Sequence, residues 1–148
     1  MRSDRKPANS EQNDSHNHIM SPAELKTLRE SLGLTLNWVA EQAGVYVRTA
    51  QYWESGRQAP PADVVEMLQR LDAQIDRVVI ETLDTYADVA ETHGEPENIE
   101  LYRYRKNEQL WSDKPDMMPL PVTYHAAMLH RASKALRNIG LTVSIVYK

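Results

Sequence analysis

The chain of 148 residues is predicted to be mainly α, with an N-terminal headpiece of short helices, a long connecting helix, and a small C-terminal β-α-β module. Three observations carry that prediction. Residues 34–60, LTLNWVAEQAGVYVRTAQYWESGRQAP, hold two short helical stripes separated by Gly44 and closed by Gly56. Residues 61–92 keep a helical apolar spacing with no Gly or Pro after Pro61. Residues 99–147 read as strand, helix and strand, too little for an independent core. The division expected is a tail over 1–20, a headpiece over 21–75, and residues 76–148 for the second half of the long helix and the C-terminal module.

Residues 1–20 are polar, balance three basic against three acidic groups, and show no helical or strand period, so a disordered tail is expected. Arg2, Arg5 and Lys6 would form a basic arm for a minor groove, but Asp4 and Glu11 interrupt it. His16 and His18 make an H-x-H, which in such a tail is more often incidental than a metal site. Ser21-Pro22-Ala23-Glu24 is a capping box with Pro at the first helical position. It opens a helix over 22 to about 32, with Leu25, Leu28 and Leu32 inward and Gly33 as its stop.

Thr35 is a good N-cap for the next helix, on which Trp38, Val39 and Ala43 fall three or four apart as a buried stripe would. Gly44 follows, where a positive φ carries little steric cost. In the helix after it, Ala50 and Trp53 face inward at an interval of three. Val47, Arg48, Gln51 and Tyr52 are left outside. A short helix showing Arg and Gln, braced across a tight turn by another, suits a major groove about 12 Å wide. An ordinary αα-hairpin with a solvated face would carry the same residue types. The combination of A-x(3)-G-V with W-E-S-G argues against it.

On those residues the stretch resembles the helix-turn-helix of the Xre/lambda-repressor-like family, L-T-x-x-x-[LV]-A-x-x-A-G-V followed by W-E-x-G. Thr35, Ala40, Ala43, Gly44, Val45, Trp53, Glu54 and Gly56 match. Leu36 stands where the family often has a phosphate-anchoring Gln, and Tyr46 replaces the usual Ser or Thr cap. The Q-Y-W-E-S-G-R run is similar to a narrower group, the YdiL-like proteins and anti-CRISPR-associated repressors. The resemblance implies a DNA-binding headpiece followed by a dimerising module. It pairs Arg29 of the first helix with Glu54 as a partly buried structural ion pair. Arg48 is the expected base reader, with Gln51 and Tyr52 beside it and Val47 against a thymine methyl; Arg pairs bidentately with guanine and Gln with adenine. Asn37, Thr49, Ser55 and Arg57 flank that face as expected phosphate contacts.

In the long helix, Val64, Leu68, Leu71, Ile75 and Val78 step by four and three, and Leu83, Tyr86 and Ala90 continue the face. About 30 residues make about 45 Å, so its later half must pack on a second module. Residues 61–98 hold ten acidic and two basic groups, a net −8, against zero over 1–20 and 21–60 and +4 over 99–148. The net −4 therefore comes from one segment that faces solvent away from DNA. Binding would rest on positioned contacts more than on a basic field. Residues 99–105 alternate as a strand, 107–113 form a short helical turn, 114–121 are loop through their three prolines, 122–138 are helix, and 141–147 are a second strand. Unpaired strand edges would need covering, and a second copy of the chain would do it.

No cysteine is present, which excludes disulfides and Cys-based zinc sites and suits a cytoplasmic protein. No apolar run approaches the roughly 20 residues of a membrane span. His125 and His130 lie five apart on different helix faces, a poor metal pair. Arg103, Arg105 and Lys106 with Tyr102 and Tyr104 make a basic aromatic strand, either a nucleic-acid contact or an exposed strand face. No convergent catalytic set, cofactor motif or metal site is found. The reading is a non-enzymatic DNA-binding transcriptional regulator, a homodimeric autoregulatory repressor on an inverted repeat. The alternative is an antitoxin-like protein whose C-terminal module binds a protein partner.

Overall fold

A computed structural model describes residues 19–148. The basic arm and the His16/His18 pair lie outside the described residues. Helix α1, Pro22–Ser31, starts on the expected capping box: Ser21 Oγ accepts from Glu24 N at 3.1 Å and Glu24 Oε1 accepts from Ser21 N at 3.0 Å. Thr35 Oγ1 accepts from Trp38 N at 3.1 Å and opens α2, Leu36–Ala43. Gly44 ends α2 in the left-handed region at φ 70°, which a side chain would strain. Helix α3, Val47–Ser55, begins at Tyr46 with no side-chain cap, so the loss of a Ser or Thr there leaves the start in place because the core beneath fixes it.

Helix α4, Ala62–His93, runs 32 residues, about 48 Å at the usual rise per residue. Then come β1, Ile99–Arg103; α5, Asn107–Asp113; a 3-10 turn, Pro115–Met117; α6, Val122–Asn138; and β2, Val143–Tyr147. The strands pair in parallel, from Ile99 opposite Val143 to Arg103 opposite Tyr147, with α6 in the crossover that parallel pairing requires. Both strands are shorter than expected. Tyr104 turns into the core at 4% exposure, and Arg105 N donates to Gln109 Oε1 at 3.0 Å, which starts the turn into α5. Leu141 N is held by Leu136 O at 3.1 Å, still closing α6.

The chain is mainly helical and in the expected element order, and one hydrophobic cluster runs through both its parts. Leu25, Leu32 and Trp53 of the headpiece share it with Leu68 and Ile75 of α4 and with Leu110, Met117 and Tyr124 beyond residue 76. A smaller cluster of Ile99, Leu136, Leu141 and Val143 packs on Leu83 and Tyr86, the later half of α4. The seam between headpiece and C-terminal module is tight. A Cβ at Gly33 would collide with the carbonyl of Thr123, and Thr123 Oγ1 donates to Gly33 O. Trp38 departs from the expected buried stripe. It is only half-buried, and its indole N–H crosses the seam to Pro119 O at 3.0 Å.

Candidate nucleic-acid interface

Helix α3 is held from below by Ala50 and Trp53, 0% and 2% exposed, which leaves the opposite arc to solvent. Arg48 and Gln51 are exposed on that arc, with Val47 at 39% beside them. Neither the Arg48 nor the Gln51 side chain has a hydrogen bond or ion pair among the described residues. Tyr52 is half-buried, and the Arg57 guanidinium lies 4.6 Å from its ring centroid. That stacking ties a base-reading candidate to a phosphate candidate, so the two side chains act together. Ser55 Oγ donates to Tyr52 O at 3.2 Å and accepts from Arg57 N at 3.4 Å, shaping the turn after α3. Asn37 is exposed in the first turn of α2, and Thr49 is half-buried on α3.

The orientation of α3 depends on one ion pair. Arg29 Nε donates to Glu54 Oε2 at 2.6 Å and Nη2 to Oε1 at 3.0 Å, a fork-to-fork geometry. Its remaining Nη1 donates to Leu34 O at 2.9 Å. The side chains are 11% and 10% exposed. The hydrogen bond to Glu54 raises the Arg29 pKa above its ordinary value, against the opposing effect of burial. The pair thus pins α1, α3 and the loop before α2 in one geometry.

Two side chains beside this face escaped sequence reasoning. Lys26 lines an open hollow of about 330 Å³ with Leu36, Gln51 and Ser55, beside the outer arc of α3. Its signal was the i,i+3 spacing from Arg29, which puts both on one side of α1. Tyr46, considered only as a cap, stands 85% exposed at the head of α3. The basic aromatic strand needs correction. Tyr104 is buried and donates to Asp113 at 3.1 Å, and Arg105 stacks 4.0 Å from the Tyr147 ring, so no continuous exposed face forms. Of the two C-terminal histidines, His125 is buried and His130 exposed. Among the described residues no group of three or more metal-ligating side chains converges. None of the described helices is long and apolar enough to cross a membrane.

Two helices across a glycine turn, the second with an unpaired polar arc, define a helix-turn-helix protein, and residues 23–83 match a family described as a helix-turn-helix domain. The chain is also 33% identical over 99 residues to a protein named Aca2 repressor from Pectobacterium phage ZF40, a span covering 66% of this chain and 78% of that protein. The chain belongs to the Xre-type helix-turn-helix family, and it is a DNA-binding transcriptional regulator.

Proposed function

We propose that the protein is a repressor that binds an inverted-repeat operator as a homodimer and regulates its own transcription unit. The observation that carries the reading is the arc of α3, where the Arg48 and Gln51 side chains stand exposed with no partner among the described residues above a buried Trp53. In this reading Arg48, Gln51, Tyr52 and Val47 meet base edges. Asn37, Thr49, Ser55 and Arg57 meet phosphates, and Lys26 joins them. The repressor relative from a phage supports the direction of regulation. The dimer is supported by the C-terminal sheet. Its two strands have no third neighbour among the described residues, and Tyr102, Ile145, Val146 and Tyr147 are 36–55% exposed beside those edges. A second copy would cover them and set two α3 helices about 34–36 Å apart, or a multiple of that.

Selection of bound sequences from a random DNA pool tests both parts at once. A palindromic motif with half-sites one or more helical turns apart is expected, and a single asymmetric site would refute the dimer. Arg48→Ala should weaken operator binding by about 1–3 kcal/mol and relax preference at one base pair per half-site. Undiminished discrimination in that variant would remove Arg48 from the reading face.

A further inference from the structure

A cleft of about 280 Å³ opens between α4, α6 and β1. Val78, Leu101, Met117 and Met128 form its apolar wall, and Gln74, Thr82, His125 and Lys114 supply its polar groups. His125 is 5% exposed, and neither ring nitrogen has a hydrogen-bond partner among the described residues; Nδ1 is fully buried. The Tyr104 ring meets it edge-on at 5.3 Å, a contact that positions the imidazole without satisfying it. Buried polar groups in native proteins are almost always paired, because leaving one unpaired costs free energy. Burial, with the Lys114 charge as a smaller influence, lowers the His125 pKa to about 4. At neutral pH the ring therefore offers one N–H and one lone pair. Lys114 is exposed at the cleft and forms no ion pair among the described residues. An apolar wall with a few polar groups at one end is the usual make-up of a small-ligand site, and this volume lies at the small end of such sites.

We propose that this cleft binds a small apolar carboxylate, with the anion against Lys114, a hydrogen bond from or to His125, and the hydrocarbon part on the methionines. The site is wired to the headpiece. Lys114 and Met117 begin the loop over residues 114–121, whose Pro119 carbonyl accepts the Trp38 indole N–H from α2 and whose Leu120 carbonyl accepts that of Trp111 at 2.8 Å. A ligand that moves this loop therefore moves the seat of α2.

The test is a methyl NMR titration of the full-length protein, without DNA, using hexanoate and benzoate, with hexanol as the uncharged control. The Met117 and Met128 methyl signals are expected to shift saturably with the carboxylates. Binding should weaken up to roughly fivefold for hexanol and up to roughly fivefold in Lys114→Gln, the factor expected for one exposed charge contact. The same Lys114→Gln protein should keep its melting temperature, since Lys114 makes no ion pair among the described residues. Equal binding of hexanol, an unchanged Lys114→Gln affinity, or no saturable shift with either acid would overturn the proposal. So would shifts that follow protein concentration alone, which would assign the cleft to a second copy of the chain. Because DNA is absent, none of these outcomes depends on the operator reading.

Discussion

Arg29 and Arg131 do the same job in two places, each clamping carboxylates on another helix, and the surroundings make them unequal. Arg29 meets Glu54 with both side chains about nine-tenths shielded and a third hydrogen bond to Leu34 O. Arg131 reaches Asp72 at 2.6 Å and Asp76 at 3.2 Å, but it is 29% exposed and its partners are 38% and 65% exposed. Water competes for the second set and salt screens it, whereas the first is held where an unpaired charge would be costly. The headpiece therefore concentrates its electrostatic specificity in one pair. Docking of α6 on α4 relies on packing and on Tyr124, whose hydroxyl donates to Leu71 O at 2.8 Å from a fully buried ring.

The largest effect should come from Glu54→Ala, which strands the Arg29 charge and should destabilise the fold by about 3 kcal/mol. Replacing both partners by apolar residues, Arg29→Met with Glu54→Leu, should recover much of that loss in urea melts. A single variant as stable as the parent would erase the contrast between the two arginines. His125 extends the comparison, being buried without a partner where Arg29 is buried with one. Its pKa falls to about 4 in the fold against 6.5 unfolded, so the unfolded chain takes up the proton first as pH drops. Stability is full above pH 6.5 and declines down to about pH 4, by at most about 3 kcal/mol. In His125→Phe this portion of the pH dependence should vanish, and an unaltered acid limb would contradict the assignment. Tyr124→Phe, which removes the hydroxyl's bond to the Leu71 carbonyl but leaves that carbonyl its helical partner, should cost about 0.5–1.5 kcal/mol. Asp72→Ala should cost less than about 1 kcal/mol and the difference should fade in 1 M salt; a larger, salt-insensitive loss would mean that Arg131 matters as Arg29 does.

The headpiece was readable because its signals are local. Thr35, Gly44 and Gly56 each fix backbone geometry within a few residues, and α5 and α6 start and stop on the expected residues, with Pro115 just past α5 and with Pro121 and Gly140 bracketing α6. The seam was hidden because it joins positions about 80–90 residues apart. Nothing around Gly33 announces that Thr123 will lie against it, and Trp38 fits a buried stripe until the Pro119 carbonyl is placed beside its indole N–H. Tyr104 was misjudged for the same reason: alternation assigns a face, but only the neighbouring element decides whether that face is covered. The strand edges were foreseen, though not that β1 and β2 would run parallel, which follows from the path of α6. On the candidate DNA face the exposure of Arg48 and Gln51 followed from periodicity. The stacking of Arg57 on Tyr52 depends on the turn after Gly56 and did not.

The glycine at position 33 has a consequence for any operator. With no room for even a methyl between it and Thr123, the reading head cannot swivel on its coupling module as it would on a flexible tether. In the proposed dimer, one base pair added between half-sites displaces the second target by about 3.4 Å and turns it by about 35° around the duplex. A rigid pair of readers cannot follow both changes at once. Promoters served by this protein should therefore tolerate base changes in the spacer far better than any change in its length.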